Sequence, residues 1–502
     1  MYALLHEVAA GIPGRTLITC RHETIHAGDR IGLIGPNGCG KTTLMEKIAS
    51  EQEGVTLYTD PVYVPQLHDE SKPESGGETT KRLLRKAFRR EGGLLLLDEP
   101  TTYLDTDGLE WLEEQLRSFN GAVLVISHDR AFLDAVCTKI WSVEDGEIHA
   151  MAGTYSTYKQ EKEKKNLAHR RSYETQQQEK AKLERAVRMK EQRAEAVTST
   201  KNVSRSEAKI TGAKPYFAKK QKKMQQSGRA MKQRLEKLDT VEKPFEERPL
   251  QMTLPGSEKR RSGPAVRLEK STAEAGGRTL WTSEAMSFSY GEHVAVTGPN
   301  GSGKTTFLQR LYEGIDIDVP AWLRFGRSVQ DVRALETGGT MLEYVMAESI
   351  QPEETVRTVL ARLGFRGERV YVPAAELSGG EKRKVSFAAL FVSGCNALLL
   401  DEPTTFLDLE AVEALEGLIQ EYPGLIFLVS HDRRFVERTA DVVLDIRNGS
   451  LSVVEEADAP EDERLLLETR LSDVVSRLST EPSPELEEEF QKLLKKKKQL
   501  ET

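Results

Sequence analysis

Gly35-Pro36-Asn37-Gly38-Cys39-Gly40-Lys41-Thr42-Thr43 returns 263 positions later as Gly298-Pro299-Asn300-Gly301-Ser302-Gly303-Lys304-Thr305-Thr306. Each copy follows a strand-like apolar run, 29–34 or 293–297, and precedes a periodic apolar stretch, 44–48 or 307–311, that reads as a helix. Strand, loop and helix in that order are the context a phosphate-binding loop requires. Its glycines let backbone N–H groups turn inward on phosphates at a helix N-terminus. Lys41 and Lys304 are expected to reach the β- and γ-phosphates, and the Thr42 and Thr305 hydroxyls to ligate magnesium.

Working outward, four more elements repeat in the same order. Gln66 follows 63–65 and Gln330 follows 327–329. Ser75-Gly76-Gly77-Glu78 returns as Ser378-Gly379-Gly380-Glu381. The runs 94–97 and 398–400 lead into Asp98-Glu99-Pro100-Thr101-Thr102 and Asp401-Glu402-Pro403-Thr404-Thr405. Ser127-His128-Asp129-Arg130 returns as Ser430-His431-Asp432-Arg433. The lysines are 263 apart and the glutamines 264, but every later pair is 303 apart. The halves are therefore colinear, with one 39-residue difference between the glutamine and the SGGE element. Five ordered elements occurring twice mark an internal duplication.

This order resembles that of ABC-type ATPases: Walker A, Q-loop, SGGE signature, the LLLLDEP strand, a D-loop at Leu104-Asp105 and Leu407-Asp408, and the SHD switch. Two cassettes in one chain, with a charged helical linker and no membrane span, are similar to the ABC-F class, which acts on ribosomes. The resemblance implies an α/β fold with two P-loop ATPase domains, at 1–158 and 264–456. It also implies ATP and Mg2+ as cofactors. Cassettes of this kind pair head to tail, so Ser75, Gly76, Gly77 and Glu78 would face the second P-loop, and Ser378, Gly379, Gly380 and Glu381 the first.

The residue types suit that chemistry. Asp98 and Asp401 end apolar strands and can hold magnesium through water. Glu99 and Glu402, one residue on, are placed to polarise an attacking water. His128 and His431 are expected at the γ-phosphate, and Gln66 and Gln330 in the metal shell. Phosphoryl transfer asks for positioning and charge stabilisation, which this inventory supplies. One departure stands out. The stretches 9–14 and 271–276 lack the aromatic that usually stacks on adenine, which leaves GTP open as a substrate.

Composition narrows the class. At 502 residues the chain has room for about three domains of roughly 150 residues each. Charged residues make up 30% and the mean hydropathy is −0.49, which argues against an integral membrane protein. Cys20, Cys39, Cys137 and Cys395 are widely spaced and form no CxxC pair, which points to a reducing, cytoplasmic setting. It also argues against the iron–sulfur ABC recycling factor. The interval between glutamine and signature is only 67–74 in the first half, eight residues including Pro73. That is too short for the helical subdomain on which transporter subunits dock, so no membrane subunit is expected.

The net charge of −8 hides a basic segment: residues 161–240 hold 23 Lys plus Arg against 10 Asp plus Glu. Residues 159–196 contain neither Pro nor Gly and are rich in helix formers. A second helix is expected from about 216 to 238, with Phe217, Met224, Met231 and Leu238 spaced by seven as a seam for one partner helix. Together they predict a long antiparallel α-helical hairpin over 159–243 with its tip at about 198–212. Lys201, Arg205, Lys209 and Lys214 lie at or near that tip, with Tyr216 and Phe217 able to stack on bases. A solvated coiled coil that merely joins the cassettes is the alternative, but the segment far exceeds what a connection needs. Residues 460–502 read as a C-terminal helical hairpin.

Residues 201–204 and 212–218, with the stripped-down first cassette, are similar to the antibiotic-resistance branch of ABC-F, the Vga-type proteins. That resemblance implies the 70S ribosome as partner: the arm would lie along P-site tRNA toward large-subunit rRNA of the peptidyl transferase centre and displace drugs bound there. No obligate protein partner is expected. Two alternatives remain: a housekeeping ABC-F factor that relieves stalled ribosomes, and a DNA-binding ABC ATPase.

Overall fold

The computed structural model describes residues 1–66, 76–89, 92–198, 222, 226, 232–233, 252, 254, 264–328 and 338–454. Ser75, Gln330, the tip residues Lys201, Arg205, Lys209, Lys214, Tyr216 and Phe217, and the tail 460–502 lie outside the described residues.

The first half builds a nine-stranded sheet. Its order is Val55–Leu57, Ala3–Ile12, Arg15–Ile25, Glu147–Ala152, Lys139–Glu144, Arg30–Ile34, Ala122–Ile126, Leu94–Asp98, Pro61–Val64. The strands from Lys139–Glu144 to Pro61–Val64 pair in parallel. Leu94–Asp98 and Ala122–Ile126 are buried at every position, as expected of parallel strands covered on both faces. The second half repeats the plan in eight strands: Ser271–Ala275, Arg278–Ser283, Ser450–Val453, Val442–Arg447, His293–Thr297, Leu425–Val429, Ala397–Asp401, Phe325–Arg327. A separate three-stranded sheet joins Met286–Ser289, Pro264–Leu268 and Ile317–Asp318.

This topology gathers the repeated elements. The P-loop leaves the carboxyl end of Arg30–Ile34, Asp98 ends its strand, and Ser127-His128 follows Ala122–Ile126. In parallel sheets the carboxyl ends share one edge, which is where ligands bind. The second half does the same with His293–Thr297, Ala397–Asp401 and Leu425–Val429. Core packing beneath each loop is apolar: Leu44, Met45, Ile48 and Trp141 in one half, Phe307, Leu308, Leu311 and Trp281 in the other.

The chain separates into two compact units. One comprises Met1–His68, Leu83–Pro100 and Glu113–Leu250; the other comprises Asp69–Arg82, Thr101–Leu112 and Gln251–Thr502. The first half's described signature glycines and its D-loop therefore belong to the unit that carries the second P-loop.

In that second unit, helices Met341–Glu348 and Glu353–Arg362 pack on the signature helix Gly379–Val392. Thr340 with Glu343 and Ser378 with Glu381 form capping boxes that start two of these helices. The first arm of the linker is one helix, Tyr155–Thr198, of 44 residues. It starts four residues before the pattern-based expectation of 159, because its first turn is tied down. Asp134 accepts from the Ser156 N–H at 2.7 Å and from its hydroxyl at 2.5 Å. Tyr155 is buried, and the Tyr158 hydroxyl donates to Glu144 at 3.0 Å. Among the described residues, no helix is long and apolar enough to cross a membrane.

Candidate nucleotide sites

Each P-loop helix, Lys41–Ala49 and Lys304–Glu313, begins after a left-handed glycine, Gly40 or Gly303, both at φ 101. A β-carbon there would come within 3.0 Å of Leu17 or Leu280, so the tight turn needs glycine on both counts. No side chain caps either N-terminus, which leaves the first-turn N–H groups directed at the loop. The Lys41 ammonium donates to the carbonyls of Gly35 at 2.8 Å and Pro36 at 2.9 Å. Lys304 does likewise to Gly298 and Pro299, at 2.9 Å each. Both lysines therefore curl over their own loops, where an anion would meet them.

In the first unit, His128 Nε2 lies 3.2 Å from Glu99 Oε1. In the second, His431 Nε2 lies 3.4 Å from Glu402 Oε1. Burial, opposed by Lys41, raises the Glu99 carboxyl to about 8. Burial, opposed by Lys304, raises Glu402 to about 7. Burial and then Lys304 push the His431 imidazole down to about 4, so it is neutral at physiological pH. Both glutamates occupy left-handed backbone, at φ 48 and φ 45, as do Tyr103 at φ 69 and Phe406 at φ 63. The same strain recurs at equivalent positions of the two halves, which marks it as part of the site.

The second unit assembles elements of both halves around the second P-loop. The Asn300 N–H donates to Asp105 Oδ2 at 3.2 Å, and its side-chain amide donates to the Tyr103 carbonyl at 2.9 Å. Lys81 Nζ lies 3.3 Å from Asp105. Burial opposes ionisation at Asp105, but N–H donors from Asn300 and Gly108, with Lys81, outweigh it and hold the carboxyl below its usual range. Signature Gly77 sits so close that a β-carbon would lie 2.6 Å from the Tyr103 carbonyl and 3.2 Å from the Asn300 amide. Arg433 bonds the Thr106 carbonyl at 3.3 Å and Glu110 at 3.0 Å.

Most expected site residues thus meet around a P-loop. Lys41, Asp98, Glu99 and His128 do so in one unit. Lys304, Asp401, Glu402 and His431 do so in the other, joined by Gly77 of the first half. Gln66 is placed two residues beyond Pro61–Val64. Ser378 is the N-cap of its helix, and its hydroxyl donates to Glu381 at 2.8 Å. Several contributors went unnoticed in the sequence. One is Tyr63, whose phenol is pushed up by burial and by the nearby Asp98 carboxylate. Asn300 reads in the sequence as a P-loop residue, and nothing local signals its contact to Tyr103, 197 positions away. Arg433 does carry a signal, since SHDR repeats in full, but its contact to Glu110 does not.

The donors fit magnesium. Asp98 and Asp401 are 2% and 6% exposed at their strand ends, each above a P-loop helix whose second residue is a threonine. An all-oxygen set of hydroxyl and carboxylate is what this hard cation selects.

Residues 21–62 and 283–405 match the ABC transporter family profile. The chain is 31% identical to the ribosome protection protein VmlR of Bacillus subtilis, over 99% of this chain and 98% of that one. It is 32% identical to the erythromycin resistance ATP-binding protein MsrA of Staphylococcus epidermidis, over 86% and 94%. It is 31% identical to ABC transporter F family member 5 of Arabidopsis thaliana, over 84% of this chain and 58% of that one. Among solved structures, the archaeal ribosome recycling factor aABCE1, in complex with the stalk protein aP1, superposes with a TM-score of 0.59 at 18% identity. It covers 93% of this chain and 92% of that one, a likeness of fold.

Proposed function

The chain belongs to the ABC-F family of ATPases, and from that premise we propose that it protects ribosomes from antibiotics of the peptidyl transferase centre. It would bind the exit site of the 70S particle and extend the arm 159–243 along P-site tRNA. The observation that carries this is colinearity, over nearly the whole of both chains, with a ribosome protection protein. The resistance protein MsrA supports it as well, matching over 86% of this chain. The 44-residue helix Tyr155–Thr198, at about 1.5 Å per residue, gives a first arm of roughly 66 Å, ample reach from a cassette docked at the subunit surface.

In this function ATP joins the cassettes. Gly35–Thr43 and Gly298–Thr306 cradle the phosphates, and Ser75–Glu78 and Ser378–Glu381 cap them from the facing cassette. Glu99 and Glu402 polarise the attacking water, with His128 and His431 at the γ-phosphate. Magnesium, held by Thr42, Gln66 and Asp98 and by Thr305, Gln330 and Asp401, would neutralise charge on the transferred phosphoryl group. Lys201, Arg205, Lys209, Lys214, Tyr216 and Phe217 would meet RNA.

The test is a deletion of Val203–Ile210 at the tip. Basal ATPase should stay nearly intact, because the cassettes carry the chemistry. Protection of a susceptible strain against lincosamides, pleuromutilins or group A streptogramins should be lost. If the deleted protein hydrolyses ATP and still protects fully, drug displacement is wrong and a housekeeping role in stalled translation takes its place.

A further inference from the structure

One difference between the two halves lies beside the strained glutamate of the second. Arg383, in the signature helix Gly379–Val392, donates from Nη2 to the carbonyl of Glu402 at 2.6 Å. The same carbonyl accepts from the Thr405 N–H at 3.3 Å, and the Glu402 N–H is held by the Val429 carbonyl at 2.9 Å. The left-handed peptide of Glu402 is thus fixed on both sides. The guanidinium lies over the ring of Phe387, 5.9 Å from its centroid, and Phe387 is buried, so the fork has little freedom to leave. Offset by 303, the equivalent position in the first half is Thr80. Glu99 has the same backbone, φ 48, and the same strand anchor, its N–H on the Ile126 carbonyl at 3.0 Å. A threonine there offers no guanidinium.

We propose that Arg383 is a positioning residue that clamps the Glu402 peptide and makes the second ATP site the faster of two unequal sites. This rests on Glu402 being the residue that polarises water. The carboxylate departs from a backbone held in a costly conformation, and a peptide free to rotate would displace it from the attacking water. Misplacement of a catalytic group by about an ångström costs large factors in rate. A charge-assisted donor to a carbonyl is among the stronger single anchors available. Arg383 acts through the Glu402 peptide, to which its guanidinium donates.

The experiment measures steady-state ATPase of the full chain for Arg383→Thr, Arg383→Lys, Glu402→Gln and the double variant Arg383→Thr with Glu402→Gln. Arg383→Thr should lower kcat toward the Glu402→Gln level while KM stays within about twofold. Arg383→Lys should recover part of the loss, because it keeps the charge but not the fork. In the double variant the two losses should fail to multiply, because both strike one site; a general packing defect would multiply them. The proposal is overturned if Glu402→Gln lowers turnover but Arg383→Thr leaves kcat within about twofold of the parent, or if the losses multiply. If Glu402→Gln itself leaves turnover intact, the assignment of Glu402 fails and takes the clamp with it.

Discussion

Gly77 shows how much a single residue carries here. A methyl added to it would press on the Tyr103 carbonyl and the Asn300 amide, the two groups that tie D-loop to P-loop in the second unit. Gly77→Ala should therefore cut kcat/KM for ATP by roughly tenfold or more, with the thermal midpoint nearly unchanged. Gly379, in the other signature and the counterpart of Gly76, has open space around its would-be β-carbon. Gly379→Ala should be the milder of the two; equal losses would show that the steric account is wrong. His431 supplies a pH prediction. The folded protein keeps its imidazole neutral down to about 4, whereas the unfolded chain takes a proton near 6.5. As pH falls from about 6.5 toward 4, the unfolded state binds a proton that the folded state refuses, so stability drops, by about 2 kcal/mol at pH 5. In nucleotide-free protein, His431→Gln should lose less thermal stability between pH 7 and pH 5 than the parent. An equal loss would mean that the ring titrates normally.

At the scale of elements, the long helix Tyr155–Thr198 is highly charged, and its described side chains are mostly exposed or half-buried. Its anchor is the first turn: Asp134 on Ser156, Tyr158 on Glu144, and buried Tyr155. Asp134 belongs to helix Arg130–Val136, directly after the SHD switch. The switch and the root of the arm are thus one hydrogen bond apart. Asp134→Ala removes both acceptors of Ser156 and should cost about 1–2 kcal/mol locally. Amide exchange should quicken over 155–160 while the strands Arg30–Ile34 and Leu94–Asp98 stay protected. If exchange is unchanged there, the helix start is secured by something else.

Across the whole molecule, charge is the organising variable. Residues 161–240 gather a net +13 and leave −21 on the rest. Self-repulsion in the arm is relieved when a polyanion supplies the counter-charge, while the acidic cassettes oppose indiscriminate binding. Ribosome binding should therefore weaken steeply with salt. Replacing Lys201, Arg205, Lys209 and Lys214 with Ala should weaken it further and flatten the log–log salt slope by up to about 3, since fewer counterions are released. An unchanged slope would make the arm a spacer. Glu99→Gln with Glu402→Gln should abolish hydrolysis and keep ATP binding, so that the protein co-sediments with 70S particles in ATP; a double variant that sediments free would argue against ribosome action.

The duplication, the order of its elements and the two P-loop folds could be read from the residues alone. Such features depend on local periodicity and on glycines at fixed offsets, and these survive in one dimension. The helices at Lys41–Ala49 and Lys304–Glu313 were legible for the same reason. The site's finer geometry was not. Asn300 meets Tyr103 across 197 positions of sequence, and Arg433 meets Glu110 across 323. Arg383 reads as one more cation on a charged helix until the fold turns it onto the Glu402 carbonyl. Left-handed backbone at two glutamates runs against their intrinsic preference, and only surrounding packing can impose it. Pairings of distant residues, and strain that other contacts sustain, come into being when the chain closes on itself.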